Sequence, residues 1–262
     1  MATWPELDYH THICETSLDV MLARAAELGI REYGVTEHIF QLHEGHPLFP
    51  QIPSEGPRLS REMYVTAVPE RGAHYGLDVR LGLEVDFVPG LEAAVQQVLD
   101  GVTWDFLLGS VHEIDGLDLF EVSPTNREHG EALWRRYIEL LIGAVRSGMF
   151  DVITHPVRNR LLNAHVPSNL DDLLDELARH AARAQVALEL NGEDTVEWPD
   201  LVLRLASACA RNGCAISFGS DAHGPDDIGR GMHQAVELAV TAGVTHAVSF
   251  RQRERRLVPL LD

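Results

Sequence analysis

The chain has no lysine; all of its 21 basic residues are arginine. A phosphate-loop lysine, a Schiff-base lysine and a carboxylated-lysine metal bridge are therefore excluded. Positive charge is scarce altogether. Forty acidic side chains bring the formal net charge to −19, which speaks against general nucleic-acid binding, since that needs a cationic face. The three cysteines, Cys14, Cys209 and Cys214, cannot form a disulfide framework in 262 residues, and no two are spaced as CxxC. No apolar run approaches the ~20 residues needed to span a bilayer. The opening MATWPELDYH lacks the charged start and apolar centre of a secretory leader. The expectation is a soluble, cytoplasmic protein with no nucleic-acid partner and no membrane contact. Oligomeric state is not legible.

What the chain does have is alternation. Short β-rich runs fall at Leu7–His10, Tyr33–Thr36, Val79–Phe87, Trp104–Val111, Asp151–Thr154, Val186–Leu190, Cys214–Phe218 and Ala247–Phe250. Segments of helical period lie between them, at Leu18–Leu28, Arg58–Arg71, Leu91–Leu99, Arg127–Arg146, Leu170–Arg183, Pro199–Arg211 and Gly231–Thr241. Gly29, Gly148, Gly213 and Gly243 follow helical runs, where a left-handed residue commonly ends a helix. Strands alternating with helices imply parallel βαβ units, and seven or eight such units in one chain imply a barrel rather than two domains. One domain spanning residues 1–262 is expected, with a long Pro/Gly-rich rim loop from His43 to Pro57 in the position of a lid.

The 14 histidines are not scattered. Polar residues collect where each predicted strand ends: Asp8-Tyr9-His10-Thr11-His12, Thr36-Glu37-His38, Glu84-Val85-Asp86, Ser110-Val111-His112, Thr154-His155-Pro156, Glu189-Leu190-Asn191 and Ser220-Asp221-Ala222-His223. In a parallel barrel those ends converge on one face, where such folds build their sites. Residues two apart on extended backbone point the same way, so His10 and His12 can grip one ion, and Asp221 with His223 can do likewise. Imidazole and carboxylate suit zinc, iron or manganese. A lone HxH is a weak signal. Seven such strand ends together are not explained by packing, because burying that many ionisable groups without a cation costs several kcal/mol for each unpaired charge.

This order of motifs resembles the PHP (polymerase and histidinol phosphatase) family, and within it the PHP-type histidinol-phosphate phosphatases. The resemblance covers nearly the whole chain. It implies a distorted (β/α)7 TIM-like barrel with two or three divalent metal ions (Zn, Mn or Fe). It implies that His10, His12, Glu84 and Asp221 hold one ion, that Glu84 bridges to a second held by His112 and His155, and that His38 and His223 hold a third. Family members usually supply a further ligand soon after the HxH, often a histidine. Here Ile13-Cys14-Glu15 stands there, so Glu15 is the expected substitute, with Asp19 and Cys14 behind it. Asp86 and Glu37 are expected to orient ligands.

The implied reaction is hydrolysis of a small phosphorylated substrate, L-histidinol phosphate, in a step of histidine biosynthesis. The nucleophile would be a metal-bridging hydroxide held by Glu84 and Asp221. Arg158 and Arg160 could fork onto phosphate oxygens, or could simply solvate their loop. Asn191 could contact substrate or fix a ligand. Other readings stay open: a PHP enzyme acting on phosphotyrosine or nucleotides, an amidohydrolase-like metal hydrolase, or a metal-binding regulator without turnover.

Overall fold

The computed structural model describes residues 7–52, 56–121 and 123–260. The opening residues 1–6, and 53–55 of the expected rim loop, lie outside that description. Strand β1 (Leu7–Asp8) leads into helix α1 (Leu18–Glu27) and β2 (Glu32–Val35). After short 3-10 turns at Ile39–Gln41 and His46–Leu48 come α2 (Arg61–His74), β3 (Asp78–Leu81) and β4 (Glu84–Asp86). Next are α3 (Glu92–Leu99), β5 (Leu108–Ser110), a small hairpin of β6 (Glu113–Ile114) and β7 (Leu117–Asp118), and α4 (Arg127–Ser147). Then follow β8 (Val152–Ile153), α5 (Leu170–Ala184), β9 (Ala187–Asn191), α6 (Gly192–Glu197), α7 (Pro199–Asn212) and β10 (Ile216–Gly219). Helix α8 (Met232–Thr241) precedes a terminal hairpin of β11 (His246–Arg251) and β12 (Glu254–Pro259).

Local sequence explains the helices. In α4 the Asn126 side chain accepts the His129 N–H at one end, and Gly148 adopts left-handed backbone (φ 71°) at the other. Its buried face, including Leu133, Trp134, Tyr137, Ile138, Leu141 and Val145, repeats at three- and four-residue steps. Burying each such side chain stabilises the fold by about 1.5–3 kcal/mol. Helix α2 begins three residues later than its pattern suggests, because Ser60 accepts the Met63 N–H and so fixes the first turn there.

The strands form two parallel arrays. One runs β1-β2-β3, and the other β4-β5-β8-β9-β10-β11 with β12 antiparallel at its edge. The wall closes where the arrays meet. Glu84 N–H donates to Glu37 O at 3.0 Å on one side, while Tyr9 N–H donates to Phe218 O (3.0 Å) and His12 N–H to Ala222 O (2.8 Å) on the other. The result is a distorted barrel whose helices pack outside.

One expected strand is two. The run Val79–Phe87 breaks at Gly82-Leu83, since its first half pairs with β2 and its second with β5. Gly82 makes that switch sterically possible: a Cβ there would lie 2.6 Å from Thr36 and 2.7 Å from Phe106.

Candidate metal centre

The barrel mouth gathers the residues the strand ends carry. His10 and His12 follow β1, Glu37 and His38 follow β2, Glu84 lies on β4, His112 follows β5, His155 follows β8, and Asp221 and His223 follow β10. His10, His12 and Glu84 are fully buried. Ligand atoms of four overlapping groups lie within 4.8 Å of one another: His10-His12-Asp221, His10-Glu84-His155, His38-Glu84-His112 and His12-His38-His223. Glu84 stands at the middle. Its Oε1 is 3.1 Å from His155 Nε2, 3.5 Å from His10 Nε2 and 3.6 Å from His112 Nε2.

A surrounding set of polar groups fixes each ring. His10 Nδ1 lies 2.9 Å from Glu189 Oε1 and His112 Nδ1 lies 2.7 Å from Asp86 Oδ1. Each carboxylate accepts a hydrogen bond from the Nδ1–H and so turns Nε2 toward the centre. Glu37 sits 3.5 Å from His12 Nδ1 and accepts the N–H groups of Ile13 and His38. Asp86 and Glu37 thus stand where the sequence placed them. Glu189 was visible as a motif, but its hold on His10 was not. His155 (φ 32°) and Asp221 (φ 61°) occupy left-handed backbone, a strained conformation for residues with side chains. The surroundings enforce it. His155 N–H donates to Glu189 and its carbonyl accepts the Tyr137 hydroxyl; Asp221 N–H donates to His10 O.

Buried His10 Nε2 has no hydrogen-bond partner, and His38 Nδ1 and Glu84 Oε2 have only each other, at 2.5 Å. Orphaned buried atoms carry a cost of about 1–3 kcal/mol each. Imidazole nitrogens and carboxylate oxygens crowded this closely in a buried pocket fit a divalent cation.

Electrostatics point the same way. Burial by itself would raise the Glu84 carboxyl, yet His38, His10 and His112 hold it well below the carboxylate range. Asp221 is likewise held low, against burial, by His10 and Arg158. Burial opposes a charged imidazole at His112, but Asp86 and Glu84 prevail and lift it to about 9. At His155 burial dominates and the ring falls to about 4, so it is neutral and ready to ligate.

Above these groups lies a cavity of about 380 Å³. His38, His112, Asp221 and His223 form its inner part, Phe40, Ile52, Phe120 and Leu161 its apolar walls, and Glu15, Asp118, Arg158 and Glu193 complete the lining. Its aromatic walls escaped the sequence reading, because isolated loop phenylalanines have no period.

Four further candidate residues, Glu15, Arg158, Arg160 and Asn191, lie outside the ligand groups. Glu15 belongs to none of the ligand groups: Ile13 N–H is captured by Glu37, the chain then turns outward, and Glu15 is left exposed at the cavity. His12 completes the group instead, its ring stacked 4.0 Å from that of His38 and 4.2 Å from that of His223. Asp19 pairs with Arg71, and Cys14 is buried. Arg158 is neither an open clamp nor a solvated loop residue. On a 3-10 turn (Arg158–Arg160), only 6% exposed, it donates to Asp194 (2.6 Å), Asp221 (2.8 Å) and Asn191 (3.0 Å), with Glu193 also 3.0 Å away. Arg160 is half-buried and does not line the cavity. Asn191 is buried; it caps α6 and donates to Glu189 and Asp221, so it braces ligands and does not reach the cavity.

A parallel barrel with imidazoles and carboxylates grouped at its C-terminal mouth defines a metal-dependent hydrolase architecture. Residues 6–193 match the PHP domain. The chain belongs to the PHP family. It is 37% identical over 195 residues to a probable histidinol-phosphatase of Deinococcus radiodurans, covering 68% of this chain and 70% of that one. A probable histidinol-phosphatase of Clostridium acetobutylicum is 22% identical over 171 residues, covering 62% and 67%. In fold it is similar to the crystal structure of histidinol phosphate phosphatase from Lactococcus lactis complexed with zinc, L-histidinol and phosphate. The TM-score is 0.78, at 21% identity over 95% of this chain and 98% of that one.

Proposed function

We propose that this protein hydrolyses L-histidinol phosphate to L-histidinol and phosphate, using divalent metal ions. The observation that carries the reading is Glu84, a buried carboxylate shared by two of the ligand groups, with five imidazoles converging on it. The likeness to curated histidinol-phosphatases supports the choice of substrate.

His10, His12, Glu84 and Asp221 would hold one ion, Glu84 with His112 and His155 a second, and His38 with His223 and His12 a third. Ions held there supply a Lewis acid for the phosphoryl oxygens and make water a better nucleophile near neutral pH. The chain's own residues set the stage. Glu189 and Asp86 keep protons on His10 Nδ1 and His112 Nδ1, so that each Nε2 lone pair faces inward. Arg158 and Asn191 hold Asp221 Oδ2, leaving Oδ1 beside His10 and His12. Phe40, Ile52 and Phe120 give the cavity apolar walls beside the ligand groups.

The test is phosphate release from L-histidinol phosphate by chelated protein reloaded with Zn²⁺, Mn²⁺ or Fe²⁺, beside phosphotyrosine and a nucleoside monophosphate. Turnover preferring L-histidinol phosphate is expected. No release with any metal rejects the proposal, and a preference for either competitor reassigns the substrate.

A further inference from the structure

Asp8 opens the first strand-end motif and Ser220 the last, and the two side chains meet across the barrel seam. Asp8 is fully buried at the end of β1 and belongs to none of the ligand groups. Its Oδ1 accepts the Ser220 N–H at 2.9 Å and the His10 N–H at 3.4 Å. Its Oδ2 accepts the Ser220 hydroxyl at 2.6 Å and the Gly229 N–H at 3.3 Å. A backbone N–H can only donate, so both oxygens must accept. Ser220 and Gly229 bracket the segment that carries Asp221 and His223, so one carboxylate ties down both of its ends. Asp221 has further braces in Arg158, Asn191 and the His10 carbonyl. His223 stands farther along the loop, its Nδ1 3.0 Å from the Asp221 carbonyl. Its side chain is 29% exposed, against 9% for His38 and none for His12, which makes it the least enclosed member of the third ligand group. Exposed loop segments open at low free-energy cost, so chelation there depends on how the loop is held.

We propose that Asp8 is a positioning residue for the third ion: by holding Ser220 and Gly229 it keeps His223 over His12 and His38, and so sets the affinity of that site apart from the ions around Glu84. The idea rests on the metal-dependent phosphatase reading and adds to it a residue that offers no ligand atom. Partners behind the ligands orient them, and their loss lowers metal affinity without removing a ligand. Asparagine at position 8 would offer one acceptor oxygen and set its NH₂ against an N–H group, so one end of the loop must come free. The opened loop would carry His223 away from its stack on His12, now 4.2 Å between ring centres. His10, Glu84, His112 and His155 stand on or follow other strands and would keep their places.

The experiment titrates the stripped full chain with Zn²⁺ against a chelator of known affinity, with circular dichroism as the check on folding. In Asp8→Asn the weakest-bound ion should lose about 10–100-fold in affinity, while the tighter ions keep theirs. Ser220→Ala should cost that ion about threefold to tenfold, the worth of one hydrogen bond. Its effect should shrink in the double variant, because the two side chains act as one contact. Phosphate release from L-histidinol phosphate should fall in kcat at limiting Zn²⁺ and recover when Zn²⁺ is saturating. Should Asp8→Asn fail to fold, Ser220→Ala carries the test, since it removes one hydroxyl and leaves no N–H unpaired. Unchanged affinity for the weakest ion overturns the proposal, as does an equal loss at every ion, which would make Asp8 a brace of the fold alone. Wild-type protein that binds no third ion overturns it too. Failure of the wild type to release phosphate rejects the phosphatase reading, and the zinc titration still decides the role of Asp8.

Discussion

His10 and Glu189 are 179 residues apart in the chain, and their side chains meet at 2.9 Å. The other Glu189 oxygen accepts the His155 N–H at 2.9 Å and the Asn191 side-chain amide at 3.0 Å. One carboxylate thus sets a ring after β1, the backbone after β8 and the brace of Asp221. Glu189→Gln presents an amide donor or a neutral acceptor where His10 needs an anionic acceptor. Metal affinity should fall about 10–100-fold. Competition against a chelator of known affinity measures it; wild-type retention would show that the contact is dispensable.

Glu84→Gln removes the charge that His10, His38, His112 and His155 share. Metal content and phosphatase activity should fall together, with kcat reduced by more than about 100-fold. Elemental analysis beside phosphate release checks this. Full stoichiometry in an inactive variant would contradict the bridging role.

Arg158 and Arg160 should behave as different kinds of residue. Arg158→Ala leaves Asp194 and Asp221 buried without their cation, and loss of one member of such a network costs about 3–5 kcal/mol. Asp194, which burial already lifts to about 7 despite Arg158, should then hold its proton more firmly still. Arg160→Ala, off the cavity wall, should change stability by no more than about 0.5 kcal/mol and leave KM alone. Thermal unfolding and steady-state kinetics of both variants decide. A raised KM in Arg160→Ala with metal retained would restore it as a phosphate contact.

The stabilisation gained on loading metal should grow with pH. The ion-free fold gains from protonated His112, whose pKa rises from 6.5 to about 9 against burial through Asp86 and Glu84. A group raised on folding contributes fully below its unfolded value and loses that contribution as pH climbs through the folded one. The ion-free protein therefore weakens between pH 6.5 and 9, while the ring nitrogens become free to bind a cation. The difference in Tm between loaded and stripped protein should widen over that window, as read by scanning calorimetry. A narrowing gap would mean that His112 does not exchange a proton for metal.

Much of this was legible because the chemistry sits where apolar strands stop. Runs such as Val152-Ile153 announce buried staves, and the polar residues that follow, here Thr154-His155, have no packing reason to be there. The strand-end candidates could be picked out for that cause, while their assignment to particular ions is what the family resemblance implies. The terminal β12 could not, because Glu254-Arg255-Arg256 is an exposed edge whose pattern is charge. Nor could the confinement of Arg158: its acids Glu193, Asp194 and Asp221 come together only when β9, α6 and β10 pack. Glu15 stands outside the ligand groups for a local reason, since Glu37 holds the Ile13 N–H two residues before it.

The barrel wall is completed by isolated bridges, among them Thr11 to Ala222 and His38 to Glu84. Thr11 lies between His10 and His12, and Ala222 between Asp221 and His223, so the chelators are stitched into the seam. Starving such a protein of divalent ions would do more than silence it. The seam would slacken as the ions leave, proteases would gain a foothold, and abundance of the polypeptide would come to track the cell's supply of metal.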